Sequence, residues 1–143
     1  MATRMPHRGT IYLLDTNTVA YILNGRSKAA RRKLAGTSEG DRVVISSITE
    51  AEVRYGLAKK TEAARWRGAV EEFLAAIEIL PWDSSAALAY GDLRAAMQTE
   101  GKALSAMDLL IAAHAGAIGA TLVTNDKAFR FTKLKLANWA TDL

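Results

Sequence analysis

At 143 residues, 50% hydrophobic and 24% charged, the chain has the composition of one folded domain with a single ordinary core. No apolar run approaches the length of a bilayer span; zero cysteines exclude disulfides and thiolate zinc sites, and two histidines leave little for a histidine metal centre. The formal net charge of +4 favours a polyanionic partner. The basic stretch 1–10 lacks the apolar segment of a secretory signal, so we expect a flexible N-terminal tail on a cytoplasmic protein, with a single domain over 11–143.

In chain order, Ile11-Tyr12-Leu13-Leu14 reads as a strand buried on both faces and stops at a carboxylate, Asp15. Asp15, Thr16 and Asn17 all suit a helix start, and the following helix closes at Asn24-Gly25. Ser27 then caps a helix to about Ala35. On it Lys28, Arg31 and Arg32 form a basic stripe, readable either as a solvated face or as a contact for phosphates, and Arg26 stands just before it. Val43-Val44-Ile45 is a second buried strand, and Ser47-Ile48-Thr49-Glu50 matches a capping box. At roughly 100° per residue, Glu50 falls beside Arg54, whereas Glu52 falls between Ile48, Tyr55 and Gly56 on the apolar side. An inward carboxylate must find a partner or be neutralised, which makes Glu52 a functional candidate.

A long helix is expected over 61–78, with Trp66 serving the core or a subunit contact. A brief strand at Ile79-Leu80 is followed by a helix capped by Asp83 or Ser84 and ended by Gly101. Ser105 opens a helix over 106–118 that is apolar on every side except at Asp108 and His114, and is therefore buried. Asp108 in its first turn suits the helix dipole, and His114 reads as a core histidine rather than a base. Thr121-Leu122-Val123 is a short strand ending at Thr124-Asn125-Asp126, and a last strand is expected near 134–136.

Strands and helices alternate without hairpin signals, which predicts an α/β fold: a mainly parallel sheet between helical layers. Such a sheet gathers its strand carboxyl ends on one edge. Asp15 and Asp126 end two strands, and Glu52 and Asp108 lie near the starts of helices opening on that edge. Two carboxylates about 4 Å apart repel by about 4 kcal/mol at an effective dielectric near 20, so a converged set needs a cation or raised pKa values. Oxygen ligands alone select Mg²⁺ or Mn²⁺. In a basic protein such a site suits a phosphodiester substrate.

The blocks Leu13-Leu14-Asp15-Thr16-Asn17, 48–56 (ITEAEVRYG), 105–115 (SAMDLLIAAHA) and 122–129 (LVTNDKAF) resemble the PIN-domain ribonucleases, in particular the VapC toxins of bacterial VapBC toxin–antitoxin pairs. The resemblance spans Ile11 to Trp139. It implies a three-layer α/β/α sandwich, Mg²⁺- or Mn²⁺-dependent endoribonuclease activity, a cognate VapB-type antitoxin, a toxin homodimer and a higher assembly with the antitoxin. It places the family's acids on Asp15, Glu52, Asp108 and Asp126, with Asn17, Thr124 and Asn125 in supporting polar positions. We therefore expect Asp15, Asp108 and Asp126 to hold the metal, with Glu52 bound directly or through water. A metal-activated water would attack the scissile phosphorus in line, leaving 5′-phosphate and 3′-hydroxyl ends. tRNA is the favoured substrate, with Arg26, Lys28, Arg31 and Arg32 as candidates for gripping it. The alternatives are an inactive PIN-like module that binds RNA or antitoxin, and an aspartate-based phosphatase. The latter lacks a second aspartate in Asp15-Thr16-Asn17.

Overall fold

The computed structural model describes residues 9–59 and 63–143. Five parallel strands, β1 (Ile11–Leu14), β2 (Arg42–Ser46), β3 (Glu78–Leu80), β4 (Thr121–Val123) and β5 (Leu136–Ala137), form one sheet in the order β3-β2-β1-β4-β5. The register sets Leu13 beside Val44 on one side and beside Leu122 on the other. Because strand side chains alternate between faces, each central strand feeds two cores. Leu13, Val44 and Leu122 enter one, with Ile111, Ala112 and Ala115; Leu14, Ile45 and Val123 enter the other, with Val19, Ile22, Leu74 and Trp139. Those six strand residues are fully buried, each contributing roughly 1.5–3 kcal/mol relative to exposure. This two-sided burial is why the strands read as unbroken apolar runs.

The helices are α1 (Thr16–Asn24), α2 (Lys28–Ala35), α3 (Ser47–Lys59), α4 (Ala63–Ala76), α5 (Ser84–Thr99) and α6 (Ala106–Ile118). Helices α1, α2 and α4 cover one face and α5 and α6 the other, giving the expected three layers. None of the described helices is long and apolar enough to cross a membrane. The chain steps from β1 outward to β2 and β3, then returns to the other side of β1 for β4 and β5. The strand order thus reverses between β1 and β4, and a crevice opens at their carboxyl ends.

Several local expectations are corrected. Ser47 and Glu50 do not form a capping box. The Ser46 hydroxyl accepts from Ile48 N at the start of α3, the Ser47 hydroxyl accepts from Trp82 N, and Glu50 pairs with Arg54. The helix expected over 61–78 ends at Ala76, and Glu78 instead opens β3, where it pairs with Arg42; Thr61 lies outside the described residues. The last strand begins at Leu136, after a 3-10 helix over Lys127–Thr132. Residues 1–8 of the expected tail lie outside the described residues. Its last two, Gly9 and Thr10, are described: Thr10 N donates to Asp41 Oδ1, and Thr10 O accepts from Arg42 N.

Candidate active site

Asp15 follows β1 directly and is the N-cap of α1, its Oδ1 accepting from Thr18 N at 2.8 Å. Its backbone N donates to Val123 O at 3.0 Å, stitching the end of β1 to the end of β4 across the crevice. The side chain is only 2% exposed. Burial raises its pKa, an effect opposed by hydrogen bonds from Thr124 and Thr18 and reinforced by the charge of Asp108. Capping and function therefore coexist in one carboxylate: its cap uses Oδ1.

Asp108 sits in the first turn of α6, whose N-cap Ser105 accepts from Asp108 N at 3.2 Å. Partial burial raises its pKa, and the charge of Asp126 adds to the rise. Asp126 lies just past β4 and is exposed; its N donates to Thr124 Oγ1 and its Oδ1 accepts from Ala128 N. The Thr124 hydroxyl, itself buried, thereby links the Asp126 backbone to the Asp15 carboxylate. Asp15, Asp108 and Asp126 form a chain of pairwise repulsion at the crevice.

Glu52 reaches the same edge by another route. It is half-buried on α3, and its Oε1 accepts from Thr16 Oγ1 at 2.5 Å, with Thr49 Oγ1 3.2 Å from the same hydroxyl. Thr16 is the residue after Asp15, so one hydrogen bond ties α3 to the start of α1 beside the acidic chain. In the sequence Thr16 reads only as an ordinary helix-start residue. Asn17 is exposed on α1, and Asn125 is half-buried between Thr124 and Asp126. Among the described residues, no three acidic or histidine side chains close into a metal-holding cluster.

The donor set nevertheless suits a hard divalent cation. It consists of oxygen alone, and among the described residues no ion pair involves Asp15, Glu52, Asp108 or Asp126. A desolvated carboxylate such as Asp15, with Asp108 as an acidic neighbour and, among the described residues, no cationic side chain paired to it, calls for a proton or a metal. His114 takes no part. It is buried in α6 with Nδ1 2.8 Å from Ser46 Oγ, and burial lowers its pKa, as befits a neutral core histidine.

The basic residues of α2 are less uniform than their spacing suggests. Arg31 turns back onto the end of α1, its Nε donating to Ile22 O at 2.7 Å and its Nη2 to Leu23 O at 3.3 Å, where a cation complements the helix dipole. Arg26 lies over the Tyr21 ring. Lys28 and Arg32 are exposed on α2, whose first turn is held by Asp142: its carboxylate accepts from the Ser27 hydroxyl and from the N–H groups of Lys28 and Ala29. Beside Glu52, a groove of about 250 Å³ runs between α1, α3 and α4 past Thr16, Leu23, Val53, Leu57 and Trp66.

Comparison with known proteins agrees with this architecture. The profile of the PIN domain matches residues 12–134. Ribonuclease VapC2 of Rickettsia felis is 37% identical over 131 residues, covering 90% of this chain and 98% of that protein. The tRNA(fMet)-specific endonuclease VapC of Salmonella typhimurium is 32% identical over 130 residues, covering 90% and 97%. The crystal structure of VapBC2 from Rickettsia felis bound to a DNA fragment from their promoter superposes with a TM-score of 0.86 at 34% identity, covering 91% of this chain and 99% of that one. The chain belongs to the PIN-domain family and, within it, to the VapC ribonucleases.

Proposed function

We propose that this protein is the toxin of a VapBC pair and a Mg²⁺- or Mn²⁺-dependent endoribonuclease that hydrolyses RNA phosphodiester bonds, with tRNA as substrate. The observation that carries the reading is Asp15: a carboxylate 2% exposed at the sheet's switch point, raised in pKa by burial and by Asp108, with no cationic side chain paired to it among the described residues. In this reading Asp15, Asp108 and Asp126 hold the cation, and Glu52 completes the set directly or through water. The tRNA assignment draws on the Salmonella typhimurium relative, whose name specifies tRNA(fMet). A VapB-type antitoxin follows from the VapBC complexes among the structural relatives. A toxin homodimer, and a larger assembly with the antitoxin, remain part of the proposal.

When bound, a divalent cation supplies Lewis acidity toward a phosphoryl oxygen and lowers the pKa of water. The protein's own share is positioning. Thr18 N and the Thr124 hydroxyl fix the Asp15 carboxylate, Thr16 fixes Glu52, and Ser105 fixes the first turn of α6 beneath Asp108. Asp126 keeps one oxygen outside its own turn, because Ala128 N engages only Oδ1. The cluster's repulsion keeps it receptive to a cation and unfavourable to bare phosphate, so substrate and metal should enter together.

The test is cleavage of purified tRNA by the wild type with Mg²⁺, with EDTA, and by Asp15→Asn and Asp108→Asn, followed by sequencing of the RNA ends. Cleavage that needs Mg²⁺ and is lost in both folded variants is expected. Undiminished cleavage in either variant, or in EDTA, would contradict the proposal.

A further inference from the structure

Beyond the acids, the carboxyl edge of the sheet continues into a shallow, open cleft of about 370 Å³ at the ends of β4 and β5. Its lining includes Thr124, Asp126, Lys127, Arg130, Leu136 and Asn138. We infer that this cleft is a nucleotide subsite, which grips a phosphate and rests a base of the RNA strand next to the scissile bond. The inference rests on the ribonuclease reading and adds to it the place where the strand flanking the cut is held.

The argument starts from the 3-10 helix Lys127–Thr132. In that helix residues three apart eclipse one another, so Lys127 and Arg130 present their charges on one side, toward the cleft they both line. Both are exposed, and among the described residues neither enters an ion pair. Arg130 is braced: its guanidinium lies 4.8 Å from the centre of the Phe131 ring, whose cation-binding is shared with Lys102 at 4.4 Å. A braced guanidinium loses less freedom on meeting a phosphate and offers it paired donors.

Elsewhere the lining is polar in a directional way. Asn138 Oδ1 accepts from Ala140 N at 2.9 Å, and among the described residues its amide NH₂ makes no hydrogen bond, so it can donate to a ligand in the cleft it lines. Leu136, 38% exposed, gives the cleft an apolar surface on which a base can lie. Asp126 belongs both to this cleft and to the acidic chain. The cleft thus adjoins the acids, and a strand leaving past Lys127 and Arg130 meets positive charge that offsets the repulsion its phosphates meet at the acids.

The test measures binding of fluorescein-labelled bulk tRNA in EDTA, by anisotropy across a salt series, for the wild type, Lys127→Ala/Arg130→Ala, Arg130→Lys and Asn138→Ala. Arg65→Ala/Arg94→Ala, on the exposed faces of α4 and α5, controls for the loss of two charges. Two lost phosphate contacts to a single strand should flatten the slope of log K against log salt by about 1.4 and weaken binding, with Arg130→Lys retaining most of the slope. Asn138→Ala should weaken binding without changing the slope. In Mg²⁺ the double variant should raise KM more than it lowers kcat. An unchanged slope and affinity in the double variant, at an unchanged melting temperature, would overturn the inference. So would RNA binding that survives while polyglutamate binding is lost, which would mark the cleft as a dock for an acidic protein. If the wild type cuts no RNA under any condition, the ribonuclease reading fails by itself, and the EDTA titration still decides the cleft.

Discussion

Replacing Asp15 by Asn or by Ala separates the two duties of that carboxylate. Asn keeps an oxygen at the position that accepts from Thr18 N at 2.8 Å, so the cap of α1 survives; Asn and Asp are equivalent N-caps. Ala removes it, at a cost of about 1 kcal/mol, and leaves the buried Thr124 hydroxyl only its bond from Asp126 N, whereas the Asn amide can still donate to that hydroxyl. The two losses place Asp15→Ala roughly 1–3 kcal/mol below Asp15→Asn, or roughly 2–4 °C in Tm per kcal/mol for a chain of this size. The charge acts in the opposite direction. Because the folded-state pKa of Asp15 is raised, its favourable contribution is complete below the unfolded value of 3.8 and is lost as pH rises through the folded value. As pH rises toward 7 without metal the wild type loses that contribution, so at pH 7 Asp15→Asn should melt at or above it, and the advantage should vanish in acid. Mg²⁺ at about a hundred times its Kd should return about 2.7 kcal/mol to the wild type and little to either variant. Calorimetric melts in EDTA and in Mg²⁺, at pH 7 and near pH 4, provide the readout. An Asp15→Asn protein clearly less stable than the wild type in EDTA at pH 7 would refute the reasoning, since the protein itself would then be neutralising the charge.

Other consequences follow from single contacts. His114 is buried with a lowered pKa, so the unfolded chain binds the extra proton first; stability should fall as pH drops below about 6.5, and His114→Gln should flatten that slope in urea titrations. Gly25 closes α1 at φ 75°, with the Arg31 guanidinium 3.3 Å from where a Cβ would stand. Gly25→Ala should therefore lower unfolding free energy by about 1–2 kcal/mol, and equal denaturation midpoints would contradict this. Thr16→Val removes the hydroxyl that holds Glu52 at 2.5 Å. It should cut kcat/KM on tRNA by about tenfold or more while Thr16→Ser restores it, and full activity in the valine variant would show that Glu52 needs no such anchor.

What the sequence disclosed and what it concealed divide along physical lines. Leu13-Leu14, Val44-Ile45 and Leu122-Val123 were legible as strands because burial on both faces leaves no polar position in them. Asp15, Asp108 and Asp126 were legible because each stands at a strand end or helix start, where local chemistry fixes its direction. Ser47 misled because a hydroxyl at a helix start has tertiary competitors: Trp82 N, thirty-five residues away, takes it. Arg31 misled because a stripe of basic residues looks alike whether it is solvated or folded back onto the preceding helix. Thr16 escaped notice because its role depends on Glu52, thirty-six residues on, and on the packing of α3 against α1. The switch between β1 and β4 is likewise a property of strand order, which no local pattern encodes.

The most direct test of the account is a titration of the metal-free protein with Mn²⁺, followed by electron paramagnetic resonance of the free ion. The wild type should take up Mn²⁺, competed by Mg²⁺, and Asp15→Asn and Asp108→Asn should each weaken uptake by about tenfold or more, equivalent to ~1.4 kcal/mol. Uptake of equal affinity in the wild type and both folded variants would contradict a cation held by the acids of the β1–β4 crevice.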